Sequence, residues 1–202
     1  EAALQPRMIM GTFAPSYLPD PKPAQRNRRS IYALKLRGHR DPFMTTFNQP
    51  APDKSCELRD SSNVTPQVFT LFNSEESADR ALAFAARILK EGKNDKAVVQ
   101  RAFRLAFGRV PEAGETRAAL SHWRQATAEQ AKRKPKPAVY PRQVTRQANE
   151  ENTGEPFTFT EKLFEYQDYE PDLQRHQVDA RTRGLADLCL VLLNSSEFVY
   201  VY

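Results

Sequence analysis

Three successive amphipathic helices are predicted between Ser74 and Ala131, each with recognisable residues at its ends. This pattern restricts the possible fold more than any other feature of the sequence. Ser74 can cap a first helix that Gly92 ends, Asn94 starts a second that ends at Gly108, and a third extends from about 112 to 131. The apolar faces predicted to be buried are Ala78, Ala81, Leu82, Ala85, Ile88 and Leu89; then Val98, Ala102, Leu105 and Ala106; then Thr116, Ala119, Leu120 and Trp123. This pattern predicts a mainly α protein: a small domain of about five helices with long Pro-rich irregular loops and little or no sheet.

The C-terminal stretch predicts one more buried helix. It begins near Asp179, and its expected buried face is Leu185, Leu188, Cys189 and Leu192. A break at 194–195 follows, and the chain then closes on Phe198, Tyr200 and Tyr202. Because chain ends are usually polar and frayed, this tail is predicted to dock as an aromatic plug on the helical core.

The break at 194–195 repeats one at 73–74. In both, an apolar helix end is followed by Asn-Ser and an acid, Glu75 or Glu197. We interpret each as an Asn at a helix C-terminus in the left-handed region, followed by a Ser that caps the next helix. Since nothing else repeats, shared helix chemistry is favoured over a duplicated domain.

The remaining segments predict less regular structure. Residues 1–28 are Pro-rich and aperiodic and are predicted to form an extended arm; residues 29–202 are predicted to form a single helical domain with a basic irregular insertion at about 132–156. The alternation of Tyr32, Leu34 and Leu36 suggests a short strand or an extended segment packed on one face. Residues 157–169 suggest a short strand or an irregular aromatic segment. Short helices are expected to start at Asp41-Pro42 and Thr65-Pro66.

Charge is unevenly distributed along the chain. The net charge is +5, and residues 22–40 and 132–146 are basic without any acid, whereas residues 150–172 are rich in acids. The basic runs could bind nucleic acid, or they could lie against the acidic segment of the same chain. The second interpretation is favoured because no nucleic-acid-binding motif accompanies the charge. No apolar run is long enough to predict a membrane span.

The sequence offers no catalytic, metal-binding or cofactor-binding pattern. His39, His122 and His176 lack ligand spacing, and neither a Gly-rich phosphate loop nor a haem-attachment motif is present. Cys189 is predicted to be a core residue. Cys56 lies in a polar loop, where it could be a reactive thiol or form a disulfide with Cys189.

Several arginines are predicted to have structural roles. Guanidinium forks suit carboxylates and helix-end carbonyls, so an arginine network could hold the Pro-rich loops to a helical core; an anion site is the alternative. The arginines considered are Arg28, Arg29, Arg59, Arg104 and Arg109.

Five short motifs in order carry a family resemblance. They are Arg28-Arg29-Ser30-Ile31-Tyr32, Ser55-Cys56-Glu57, Thr65-Pro66-Gln67 with Leu71 and Asn73, Gly108-Arg109-Val110-Pro111, and Leu188-Cys189 through Asn194-Ser195-Ser196-Glu197-Phe198-Val199-Tyr200. Over residues 25–202 the chain resembles the planctomycete-specific domain of unknown function found at the C-terminal end of planctomycete cytochrome-c-domain proteins. Two positions depart from the family pattern: Ser196 stands where the family has a second Asn, and Leu58 stands where it has the first of two arginines.

The resemblance implies a cellular location and neighbouring domains, and it supplies no catalytic residue. It implies an exported protein, periplasmic or at the cell surface, whose partners are its own upstream domains or another exported protein; any haem would lie in an upstream domain. The start at Glu1 without a signal peptide fits a piece of a longer chain. The candidate structural or interaction residues are Arg28, Arg29, Tyr32, Cys56, Arg59, Gln67, Asn73, Arg109, Asn194, Glu197, Phe198 and Tyr200.

Three functions remain open at this point. The leading hypothesis is a non-catalytic helical interaction or scaffold domain. The first alternative is an enzyme-associated module that acts on or binds polysaccharide, for which the acids of 150–172 would supply a pair of carboxylates. The second alternative is a basic nucleic-acid-binding module.

Overall fold

A computed structural model describes residues 20–32, 42–50, 56, 65–163, 166 and 168–199. Within these ranges the chain is mainly helical, as the sequence predicts, and it also contains a two-stranded sheet. The helices are α1 (Pro23–Arg26), α2 (Pro42–Thr46), α3 (Thr65–Asn73), α4 (Glu75–Glu91), α5 (Asp95–Phe107), α6 (Ala113–Ala131), α7 (Ala180–Leu193) and α8 (Ser196–Val199). The strands are β1 (Gln143–Asn149) and β2 (Pro156–Lys162), and 3-10 turns cover Ser30–Tyr32 and Arg175–Gln177.

The described residues fall into two compact units. A helical unit contains residues 65–138 and 173–199, and a hairpin unit contains residues 20–32, 42–50, 56, 139–163, 166 and 168–172. The prediction of one domain over residues 29–202 stays a prediction, because a division into compact units does not establish which part folds alone.

The helical unit packs α4, α5, α6 and α7 around one core. Its best-buried side chains are Leu82, Ile88, Leu185, Val98, Val99 and Cys189. α6 and α7 approach closely where Gly184 faces Thr127: a Cβ at position 184 would lie 2.5 Å from the Thr127 backbone nitrogen. Glycine is therefore required at this crossing, because any side chain would push the two helices apart.

Helix starts and stops follow the predicted chemistry. The Ser74, Asn94 and Asp179 side chains accept hydrogen bonds from the backbone N–H groups of the first turns of α4, α5 and α7. Gly108 ends α5 in the left-handed conformation, with φ +73°. The four long helices therefore begin and end close to the positions that the sequence predicts.

A buried arginine joins the end of α6 to the segment before α7. Arg183 donates Nη2 to the Gln130 carbonyl at 3.1 Å and Nη1 to the carbonyls of Val178 and Arg175. Gln130 in turn donates Nε2 to Asp187 at 2.7 Å. Arg183 thus adds a side-chain donor to carbonyls at the end of α6 and in the segment before α7.

The hairpin unit contains the β1–β2 ribbon. The strands are antiparallel, in register from Gln143 opposite Lys162 to Asn149 opposite Pro156. At the connecting turn the Glu150 carboxylate accepts the backbone N–H of Asn152 at 2.9 Å. The hydrogen bonds from Thr153 and Asn152 lower the pKa of Glu150.

Two local predictions are wrong, and a third lies mostly outside the described residues. Residues 23–26 form a helical turn within the predicted extended arm, which Pro23 favours as a first-turn residue. Residues 30–32 form a 3-10 turn, and the rest of the strand or extended segment predicted as far as Leu36 is not among the described residues. Residues 143–149 form β1 within the predicted irregular insertion. The apolar alternation of β1 is too weak to predict a strand, but pairing with β2 stabilises it. Residues 1–19, Leu34, Leu36 and Asp41 lie outside the described ranges.

Cys189 is a free thiol buried in the core, so the disulfide with Cys56 that the sequence left open is not formed. Burial raises the pKa of the Cys189 thiol. None of the described helices is both long and apolar enough to cross a membrane.

Candidate functional site

Arg109 is the centre of a polar cluster in the helical unit. It donates Nη1 and Nη2 to the two carboxylate oxygens of Glu115 at 2.8 and 2.7 Å. It also donates Nε and Nη2 to the oxygens of Glu197 at 2.6 and 2.7 Å. One guanidinium therefore joins the start of α6 to α8 through two bidentate pairs.

Local backbone and ring chemistry positions Arg109. The left-handed turn at Gly108 ends α5 and places Arg109 just beyond the helix. Its Cζ lies 5.6 Å from the ring centroids of both Phe103 and Phe107. Those rings meet edge to face, 5.2 Å apart, and both lie within cation–π distance of the guanidinium.

Each carboxylate of this cluster is held in its charged form. Hydrogen bonds from Arg109 and from the Glu112 backbone lower the pKa of Glu115 to about 2. Arg109 also lowers the pKa of Glu197, and both carboxylates raise the pKa of Arg109. Because all three side chains are one-third or more exposed, solvent screens the pairs, and they position the chain more than they stabilise it.

Glu197 on α8 pairs with Arg109, whereas Phe198 does not form the buried aromatic contact that the sequence predicts. Phe198 on α8 is 44% exposed and Val199 is 40% exposed. Glu197 bonds Arg109, and this pairing sets the orientation of α8. Tyr200 and Tyr202 lie outside the described residues.

Asn73 and Asn194 end their helices by the same contact, which differs from the predicted one. The Asn73 Nδ2 donates to the Phe69 carbonyl at 3.0 Å, and the Asn194 Nδ2 donates to the Leu190 carbonyl at 2.7 Å. Neither Asn adopts a positive φ. The amide side chain thus contacts a terminal carbonyl without a left-handed backbone, and at Leu190 it shares that carbonyl with the Asn194 backbone N–H.

The two serines that follow behave differently. Ser74 caps α4, with its Oγ accepting the Ser77 N–H at 3.2 Å, as predicted. Ser195 instead donates its hydroxyl back to the Leu192 carbonyl at 2.8 Å. The prediction that the Ser195 side chain caps the start of α8 is therefore wrong, since its hydroxyl bonds a carbonyl at the end of α7.

Arg26 is the corresponding centre of the hairpin unit. It donates Nε and Nη2 to Oδ2 of Asp172 at 3.2 and 3.1 Å, and Asn27 donates to Oδ1 at 2.7 Å. Its Nη1 reaches the carbonyls of Asp20 and Pro21. Only 10% of the Arg26 side chain is exposed.

One ring of an aromatic cluster contacts the same arginine. Arg26 lies 4.2 Å from the Tyr169 ring centroid and donates Nη2 to the Glu170 carbonyl. Tyr140 and Tyr166 complete a cluster of three rings with Tyr169, at centroid distances of 5.0 to 5.7 Å. Sequence reasoning missed Arg26, since its partner Asp172 is 146 positions away.

The basic runs do contact the acidic segment. Arg26 of the first run pairs with Asp172, and Arg146 of the second pairs with Glu161 at 2.5 Å. These pairs bear out the favoured interpretation of the charge pattern for those two arginines.

The other candidate residues lie apart from these clusters. Arg28 and Arg29 are exposed, and the Arg29 guanidinium lies 5.8 Å from the ring of Tyr32, which is itself 54% exposed. Cys56 is exposed. Gln67 is half-buried on α3. Arg59 lies outside the described residues, and Arg104 is exposed at the end of α5.

Sequence reasoning missed several important polar residues. Glu115 had a detectable signal, the spacing of Glu112 and Glu115 typical of a capping box. Gln130 and Arg183 had none, because a buried glutamine or arginine is recognised only when its tertiary partners are known. No group of three His, Cys, Asp or Glu side chains in the described part of the chain could hold a metal ion.

α3 presents an unusual face to solvent. Val68 is 56% exposed, Phe69 62% and Phe72 40%. Gln67 and Thr70, which are polar, are half-buried. Leu71 is half-buried, so α3 keeps one large apolar side chain partly covered and leaves the other three exposed to solvent.

Comparison with known proteins identifies a family but no described activity. The sequence model of PSD1, a protein of unknown function (DUF1553), matches residues 3–123, which is more than half of the chain. No curated protein and no solved structure matches the chain. The matched range contains α1 to α5, the Arg109 turn and α6 as far as Trp123. The chain therefore belongs to the PSD1 (DUF1553) family of proteins of unknown function.

Proposed function

We propose that this protein is a non-catalytic helical interaction or scaffold domain. In this proposal it forms the C-terminal part of a larger exported planctomycete protein with a cytochrome-c domain, and any haem belongs to that upstream domain. Its partner is the adjoining domain of the same parent protein, which covers the apolar face of α3.

The exposed face of α3 is the observation that carries this proposal. An apolar side chain that is half-exposed gains free energy when a partner removes it from water, at about 25 cal/mol per Å². Val68 and Phe69 are both more than half-exposed and lie on the same short helix. Large exposed apolar side chains grouped in this way are typical of protein interaction sites.

The rim of this face indicates the chemistry of the partner. Glu75 and Glu76 occupy the first turn of α4, directly after α3. A partner that fits both features would offer an apolar pocket bordered by Lys or Arg side chains, because complementary rim charges favour association and orientation.

A binding experiment with a matched control tests the proposal. Val68→Ala with Phe69→Ala should weaken binding of the adjoining domain roughly tenfold or more by calorimetry. The free energy of unfolding should stay within about 0.5 kcal/mol of the parent, since both side chains are exposed. Val110→Ala with Val191→Ala removes other exposed apolar side chains of the same unit and should leave affinity unchanged. Equal weakening by the two double variants would overturn the proposal.

The parent gene tests the setting independently. We expect a secretory signal and a Cys-x-x-Cys-His haem-attachment motif to be encoded upstream of Glu1. A parent protein without a secretory signal contradicts the exported setting, and one without the haem motif contradicts the cytochrome-c setting.

A further inference from the structure

The segment after α6 is a short basic strap, defined here as residues 132–138. It carries Lys132, Arg133, Lys134 and Lys136 and no acid. Lys132 bonds Glu129 at 2.7 Å, whereas Arg133, Lys134 and Lys136 are exposed. Three cationic side chains therefore project from a stretch of four residues, 133–136.

Two prolines stiffen the strap. Pro135 and Pro137 have restricted φ angles, and each also disfavours helical backbone at the preceding residue, Lys134 and Lys136. Lys134 and Lys136 are thereby biased toward extended backbone, and φ is fixed at Pro135 and Pro137 between and after them. Neither helix nor strand forms there, which agrees with this restriction.

Both ends of the strap are fixed to the helical unit. At its root, the Arg133 N–H donates to the Gln130 carbonyl at 3.2 Å, the same carbonyl that buried Arg183 contacts. At its other end, the Ala138 N–H donates to Oε1 of Gln174 at 3.2 Å. A stretch that is already ordered loses less conformational entropy when it binds a partner.

We propose that this strap binds a linear anionic polysaccharide, with Arg133, Lys134 and Lys136 contacting its sulfate or carboxylate groups. The inference does not depend on the scaffold function proposed above. Ammonium groups act as point charges that tolerate varied anion geometry, which suits a polymer with repeating charged groups. An extended strap can also lie along an extended polysaccharide.

The chemistry of the strap favours polysaccharide over nucleic acid. Proteins that bind single strands combine basic grooves with aromatic side chains on which bases stack, and residues 132–138 contain no aromatic residue. The nearest ring along the chain, Tyr140, packs against Tyr166 and Tyr169. Duplex DNA is read by a helix or a β ribbon placed in the major groove, and the strap is neither.

The test compares two triple variants that remove the same charge. Arg133→Gln, Lys134→Gln and Lys136→Gln change the strap. Lys96→Gln, Arg117→Gln and Arg124→Gln remove three exposed cations from the helices of the same unit. Binding of the full chain to dextran sulfate is measured by calorimetry from about 50 to 200 mM salt, with neutral dextran and oligo(dT) as further probes.

The strap variant should bind dextran sulfate roughly tenfold or more weakly, and the slope of log affinity against log salt should decrease by about 2. The helix variant should keep most of the affinity of the parent. The proposal is overturned by absence of binding at low salt, by equal weakening in both variants, or by undiminished binding to neutral dextran. Tighter binding of oligo(dT) than of dextran sulfate would assign the strap to nucleic acid instead.

Discussion

Arg109 holds Glu197 through two parallel hydrogen bonds, Nε to Oε1 at 2.6 Å and Nη2 to Oε2 at 2.7 Å, between residues 88 positions apart. The same guanidinium binds Glu115 at the start of α6. Phe198 and Val199 remain substantially exposed, so among the described residues this fork is a specific contact that joins α8 to the start of α6. The geometry of α8 therefore depends on a planar donor group that lysine cannot replace.

We expect Arg109→Lys to loosen α8 while the core stays intact. An ammonium group cannot make both bidentate pairs, so one carboxylate loses its partner. Backbone amides in α8 should exchange with deuterium faster, and the melting temperature should fall modestly, as is usual for exposed pairs. Arg104→Lys, on an exposed side chain of α5, is the control and should leave exchange in α8 unchanged. Unaltered exchange in Arg109→Lys would show that α8 does not depend on the fork.

The contribution of Glu115 should depend on pH in a defined window. Its pKa is lowered from 4.5 to about 2, so its stabilising effect is fully present above about pH 4.5 and is lost as pH falls toward 2. Glu115→Gln should therefore melt below the parent at neutral pH, and the difference should narrow between about pH 4.5 and 2. Thermal unfolding at a series of pH values measures this difference.

Arg109 is the leading cause of the low Glu115 pKa, which supplies an internal control. With Arg109→Gln in both proteins, the effect of Glu115→Gln should depend less on pH. An unchanged dependence would assign the shift to the Glu112 backbone N–H instead.

The caps and apolar stripes show why much of the helical unit could be predicted. Ser74, Asn94, Asp179 and Gly108 act locally, within four residues of the groups that they satisfy, so short sequence windows contain the necessary information. The buried face of α7 followed from its spacing in the same way. These features require no knowledge of the tertiary fold.

The unpredicted features depend on partners far along the chain. Arg183 is buried because its guanidinium meets the Gln130 carbonyl, 53 positions away. Among many basic residues, nothing local distinguishes it or Arg26. Arg109 and Glu197 were both named as candidate residues from the sequence, but their pairing across 88 positions was not predicted. The outward apolar face of α3 likewise follows only from what packs behind it.

Replacing Asn73 and replacing Asn194 should lower the free energy of unfolding by different amounts. Asn194 lies half-buried with its bond to Leu190 shielded, whereas Asn73 is exposed. Asn194→Ala should lower the free energy of unfolding by about 1 kcal/mol, because the Leu190 carbonyl loses a shielded amide donor and keeps only the backbone N–H of residue 194, at 3.1 Å. Asn73→Ala should cost about half as much or less, since water can replace its amide. Urea unfolding measures both values, and a larger cost at Asn73 would contradict the burial argument.

The two thiols should react at very different rates. Cys56 is exposed, whereas Cys189 is buried with a raised pKa and little thiolate at neutral pH. Ellman's reagent should label Cys56 in the native protein and Cys189 only after unfolding. Cys56→Ser should then remove the fast reaction, and rapid labelling that persists in this variant would show that the core around Cys189 opens readily.

The close crossing of α6 and α7 makes Gly184 sensitive to a single methyl group. A Cβ at this position would lie 2.5 Å from the backbone nitrogen and 2.7 Å from the Cα of Thr127, so the helices would have to separate. Gly184→Ala should destabilise the protein by about 1 to 3 kcal/mol in urea unfolding, despite the better helix propensity of alanine. Gly114→Ala is the matched control, because no atom lies within 4 Å of its added Cβ and α6 should gain up to about 1 kcal/mol. If both substitutions stabilise the protein, the helices are not packed as closely at Thr127 as the structure shows.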